Sequence, residues 1–188
     1  MASIDLHGFV VDLKSHVGDH GFHVADDRHY VETYSNRQHW EVEMHPERGC
    51  GGPLSVVMTL EAEARTLIDF EDDLYKAATE SDLSDEIIVP LTFTFMLPPL
   101  VDGPDLLVLT TELAAIGGID LPLRVTMLDA SEVVSSKPER TINIEGRVDL
   151  PLAHMYRGED ALCDLLERAC EICTFLLEQA PVWLDEVF

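Results

Sequence analysis

Between Tyr30 and Val148, apolar side chains recur mostly at every second residue, in short runs cut by glycine, proline and serine. The two ends of the chain, and a stretch after about Ala64, switch to spacings of three and four. This change of period is the strongest constraint on the fold. A period of two sends alternate side chains to opposite faces of a strand, whereas spacings of three and four line one face of a helix.

At the start, Leu6, Phe9, Val10, Leu13 and Val17 share a helical face. Ser3 is placed to cap that helix, Asp5 suits its first turn, and Gly18 suits the position just past its end. Asp19 to His29 is rich in histidine and aspartate and reads as a polar surface loop. Tyr30, Glu32 and Tyr34 then oppose Val31 and Thr33, and Trp40, Val42 and Met44 alternate with Glu41 and Glu43. Ser35-Asn36-Arg37 supplies turn chemistry between them, so a hairpin is expected.

Glu47 to Pro53 breaks the pattern. A strand runs from Leu54 to about Ala64, followed by helical spacing to about Ala78. An acidic loop, Ser81 to Glu86, precedes the β-branched and aromatic run Ile87 to Met96, which stops at Pro98-Pro99. Three further strands are expected: Leu106 to Leu113, Leu121 to Leu128 and Thr141 to Val148. Gly117-Gly118 and Ser135-Ser136-Lys137-Pro138 separate them. Ile119-Asp120-Leu121-Pro122-Leu123 resembles Val148-Asp149-Leu150-Pro151-Leu152, each with a glycine shortly before it (Gly117 and Gly146), and both mark places where a strand meets an irregular segment.

The strongest helical stripe comes last. Leu162, Leu165, Leu166, Ala169, Ile172, Phe175 and Leu176 run along one face of Glu159 to Gln179, with Pro181 as its stop. The tail, Val182-Trp183-Leu184 and Val187-Phe188, is apolar enough to dock, at home or across a homodimer. The expected fold is therefore α+β. It is one domain over residues 1–188, a mostly antiparallel sheet of about six to seven strands with an N-terminal helix and a long C-terminal helix packed on it.

Charge narrows the functional classes. The chain holds 36 acidic and 12 basic residues, a formal net charge of -24, and only three lysines (Lys14, Lys76 and Lys137). Phosphate recognition needs clustered cations, so neither nucleic acid nor an anionic membrane surface is an expected partner. A basic protein or other cationic partner is. The charge also fits a nucleic-acid mimic that inhibits DNA-binding proteins. The opening residues lack a cationic, apolar leader and the four cysteines are irregularly spaced, so a cytoplasmic location with reduced thiols is expected.

Five residues form a candidate metal group. His16, His20, His23 and His29, with Asp26, combine imidazole and carboxylate of the kind that bind Zn²⁺ or a similar divalent ion. They support a second functional class, a metal-dependent enzyme or metal sensor, to which His39 or His45 would contribute. Their spacing matches no closed zinc motif, and a polar surface loop of titrating histidines is the simpler account of them. Cys163, Cys170 and Cys173 fall three and seven apart on the last helix, the spacing of a core stripe; a redox pair belongs at a helix N-terminus instead. His45-Pro46-Glu47 with Cys170 and Cys173 resembles the zinc deaminase signature only in part, because Ala169 stands where proline is required. Gly49-Cys50-Gly51-Gly52 lacks the lysine and serine of a phosphate loop. Cys50 looks exposed, and as a nucleophile it would need His39 or His45 as its base.

No catalytic signature emerges, no catalytic residue is assigned, and no cofactor site is expected. The reading that follows is a non-catalytic binding or interaction protein. Its acidic surface faces a cationic partner, and a cleft between sheet and last helix is able to take an apolar ligand.

Overall fold

The computed structural model describes residues 6–131, 139–157 and 161–185. Six strands form one sheet: β1 (Phe22–Val31), β2 (Gln38–Pro46), β3 (Ser55–Ala62), β4 (Ile88–Met96), β5 (Leu123–Ala130) and β6 (Glu139–Pro151). Their order is β1-β2-β3-β4-β6-β5, with every neighbouring pair antiparallel. Among the described residues five α-helices accompany it: α1 (Leu6–Asp19), α2 (Ala64–Lys76), α3 (Leu106–Gly117), α4 (Leu152–Arg157) and α5 (Ala161–Leu184). The expected α+β class, antiparallel sheet and long C-terminal helix are all present.

Alternation decides which face of the sheet is buried. Register aligns Met44, Val56, Phe95 and Ile144 in one row across four strands, and Val42, Met58, Phe93 and Gly146 in the next. Apart from Gly146, these residues and Leu165, Leu166, Ala169, Ile172, Cys173 and Leu176 of α5 bury their side chains in one continuous apolar cluster. The residues between them, from Glu41 and Glu43 on β2 to Thr92 and Thr94 on β4, stay partly open to solvent. Gly146 is where Leu121 and Leu123 cross the sheet: a Cβ there would lie 2.8 Å from Leu121 Cδ1 and 2.9 Å from Leu123 Cδ2. Gly117 also faces Leu123, at 3.3 Å, so the two glycines that precede the repeated segments serve the same packing.

Four expectations are corrected. Asp19 to His29 is largely strand rather than loop: β1 begins at Phe22 and pairs with β2 as far as Val31. The hairpin itself is as expected, with Asn36 at φ 53° in its turn. Being an edge strand with mostly exposed side chains, β1 buries no alternating set and so shows no period.

Leu106 to Leu113 is helix rather than strand. Asp105 caps it, its Oδ1 accepting from the N–H groups of Leu107 (2.9 Å) and Val108 (3.1 Å). Gly118 at φ 62° ends it. A segment apolar on every side mimics a buried strand. As a helix, α3 carries the chain from β4 to β5, which lie parallel with β6 between them.

Pro181 lies inside α5, which continues to Leu184. The last turn survives because it is docked: the Trp183 carbonyl accepts from the N–H groups of Val101 (2.9 Å) and Asp102 (3.0 Å). Gly18 likewise lies within α1, which runs to Asp19. Ser3, Asp5, Ser135 to Pro138, Glu159 and the tail residues Val187-Phe188 lie outside the described residues. No described helix is long and apolar enough to cross a membrane.

Pro90 lies in β4 just beyond the end of its pairing with β3 at Leu91, opposite Asp149 of β6.

Phe93→Ala is expected to lower unfolding free energy by about 3–5 kcal/mol, whereas Thr94→Ala, on the open face, should change it by less than about 0.5 kcal/mol. Chemical denaturation of both variants checks the assignment of faces, which equal effects would contradict.

Candidate functional site

Gly49 has no room for a side chain. A Cβ there would stand 2.7 Å from Leu177 Cδ1 on α5. Glycine therefore lets the connection between β2 and β3 approach the long helix closely. Gly51 at φ 81° and the Gly52 N–H donating to the Gly49 carbonyl at 2.7 Å fold that connection into a tight turn. The turn joining α1 to β1 is tied to it, since the Glu47 N–H donates to the Gly21 carbonyl at 2.9 Å.

Together these turns and α5 enclose a cleft of about 670 Å³. Its apolar lining comes from Pro46, Leu177, Gly21 and Cys170. Its charged groups are unequal: Glu47, Glu167, Glu171 and Glu178 face it, against the single guanidinium of Arg48 and the imidazole of His20. The Arg168 guanidinium engages Glu171 at 2.8 Å from the same helix. The cleft is an acidic mouth over an apolar floor.

Cys170 is half-buried in this cleft. Burial pushes its thiol up, with Arg48 partly offsetting that and Glu171 and Glu47 adding to it. Cys173, one helical turn on, is buried and its thiol is raised further, again by burial. Burial of this kind suits packing. Thr174 donates back to the Cys170 carbonyl at 3.0 Å.

The sequence-predicted site residues fall on α1, on the turn that follows it and on β1. His16 and His20 approach each other at the end of α1, with ring centroids 6.1 Å apart. His23 lies on β1 opposite His45. Asp26 is committed to Arg28, 2.8 Å away, and also accepts from the Asp27 N–H. His29 stacks flat on Trp40, centroid to centroid 4.4 Å. Among the described residues, no three histidine, cysteine, aspartate or glutamate side chains form a group able to hold a metal ion. Of the five, His20 alone lines the cleft.

The partial deaminase resemblance has a spatial counterpart, because Glu47 and Cys170 line the same cleft. The remaining members are elsewhere: His45 turns Nδ1 to the Leu54 carbonyl at 3.2 Å, and Cys173 is buried. Cys50 is exposed. The bases considered for it are engaged, His45 as above and His39 between two carboxylates.

That histidine belongs to a second polar constellation, on the open face of the sheet. His39 Nδ1 lies 3.1 Å from Glu61 Oε1 and its Nε2 lies 3.1 Å from Glu41 Oε1. Arg37 also donates to Glu61. Burial alone would push the Glu61 carboxyl up, but the hydrogen bond and charge of Arg37, with those of His39, outweigh it and hold the group below the ordinary value. Arg28 stands among Asp26, Glu41 and Glu43 and relieves the like charges that register places opposite one another, Asp26 and Glu43. This network balances charge across exposed strands.

No protein-family model, curated protein or solved structure matches the chain.

Because the folded Glu61 carboxyl is lowered, its contribution to stability is complete above the ordinary glutamate value of about 4.3 and is lost as pH falls through the folded value. Arg37→Met should cost under about 1 kcal/mol at neutral pH. The gap in Tm between variant and wild type should close as the solution is acidified below that range. Thermal melts across pH measure it, and a gap indifferent to pH would remove Arg37 as the cause.

Proposed function

We propose that this chain is a non-catalytic binding protein whose cleft receives a cationic segment of a basic partner. The observation that carries this is the composition of the cleft: four glutamates from α5 and the β2–β3 connection stand around a floor of Leu177, Pro46 and Cys170. A lysine or arginine side chain matches such a site at both levels, since its aliphatic stem lies along apolar surface while its charged head stays at the polar rim. The overall charge of -24 draws cationic partners in and raises their rate of encounter. The apolar floor adds what charge alone does not supply, a preference for a segment with aliphatic groups beside its cations.

The test separates the cleft from charge in general. Glu167→Gln, Glu171→Gln and Glu178→Gln together remove three charges from the cleft. Glu71→Gln, Asp72→Asn and Glu112→Gln remove three from α2 and α3. With a fluorescent amphipathic peptide rich in lysine and leucine, anisotropy should show about a tenfold or greater loss of affinity for the first triple variant and little for the second. Equal losses would mean that the cleft has no special part, and no binding by the wild type beyond that of a charge-matched acidic control would end the proposal.

A further inference from the structure

A helix that is apolar on every side is normally buried on every side. In one copy of this molecule α3 is not. Its sequence, LLVLTTELAAIG, holds one charged residue, Glu112. Leu109, Leu113 and Gly117 form the stripe that packs inward, against β5 and α5. The opposite side is open, with Leu107 77% and Val108 54% exposed and Ala114 and Ala115 also at the surface. Val101 and Val182 extend this apolar surface where the start of α3 meets the end of α5, held by the Val101 N–H to the Trp183 carbonyl.

The strand beneath α3 has the same deficiency. Among the described residues β5 is an edge, paired with β6 only. Its ladder runs without a register shift from Leu123 to Ala130, and its two charges, Arg124 and Asp129, are of opposite sign. Asp129 is already held by Arg140, at 2.6 Å. The other edge of the sheet is different. β1 carries Asp26, Asp27 and Arg28 and has a register shift between Val24 and Asp26, both of which discourage further pairing. One edge is guarded and the other is not.

We propose that β5 and α3 form the interface of a homodimer. A two-fold axis perpendicular to the sheet at this edge pairs β5 antiparallel with its copy. Because α3 lies over β5 on the buried side of the sheet, the same operation sets α3 beside its copy and covers Leu107 and Val108. A single symmetric contact thus satisfies both open features, as a self-complementary two-fold interface requires. Charge singles out the same flank. Two copies each carrying -24 repel over most of their surfaces, and this flank, with one glutamate on the helix and balanced charges on the strand, is where that repulsion is weakest.

Sedimentation equilibrium of the full chain in reductant, which excludes disulfides through exposed Cys50, tests the interface. A particle of twice the 21.0 kDa chain mass is expected, tightening as salt screens the like charges. Leu107→Glu should weaken dimerisation about tenfold or more. The exposed position of Leu107 keeps the fold intact, which circular dichroism verifies. Thr126→Lys on β5 is an independent second variant and should act in the same direction. Amide hydrogen exchange over Leu123 to Ala130 should slow as protein concentration rises. A monomer at high micromolar concentration in both low and high salt would overturn the proposal and leave the face to a different protein. A dimer indifferent to both substitutions would overturn it as well.

Discussion

The structure depends on one act of burial: a single face of the sheet against the apolar stripe of α5. Rows of Met44, Val56, Phe95 and Ile144, and of Val42, Met58 and Phe93, present a continuous surface only while the register holds. A slip of one residue would turn Glu41, Glu43 and Thr94 inward in their place. Burial of that face fixes the register, and the register in turn fixes the order of charges on the open face, including Glu61 beside Arg37 and His39. The polar surface is a consequence of the apolar one.

The cleft follows from the same packing. α5 lies against the sheet, so whatever connects the strands near its side must either avoid the helix or come very close. Gly49 permits the close approach, and Leu177 fills the space its side chain would have taken. The cleft is therefore a by-product of packing that brings Glu47 of the connection near Glu167, Glu171 and Glu178 of the helix. Those carboxylates repel one another, and what relieves them locally is Arg48 and the Arg168 contact to Glu171. The proposed cationic partner would complete that compensation.

Much of the architecture was legible from spacing. The hairpin about Ser35-Asn36-Arg37, the strands at β3, β4, β5 and β6 and the helical stripe of α5 each showed the period of the element they form. Two of the failures share a physical cause. Periodicity records which face is buried, so it is silent where no face is buried or where every face is apolar. β1, polar and at an edge, is the first case, and α3, apolar all round, is the second. Pro181 failed differently: a local rule that proline ends a helix was overridden by the docking of the last turn on Val101 and Asp102. The candidate site was hardly legible, because acidic residues are so frequent in this chain that no cluster of them stands out along the sequence. Its residues lie at His20 to Gly21, at Pro46 to Arg48 and at Glu167 to Glu178, and nothing in their local patterns links them.

By itself, then, the sequence determined the class of the fold, the antiparallel sense of the sheet, which side chains face inward on most strands, and an acidic exterior. Each of these is settled between near neighbours, through the period of two or of 3.6 and through the cost of burying charge. The tertiary structure alone decided that β1 extends the sheet, that α3 crosses from β4 to β5, which edge is left open, and where carboxylates gather over an apolar floor. Those outcomes rest on contacts between segments far apart in the chain, and such contacts acquire their energy only when the sheet and α5 have closed on one another.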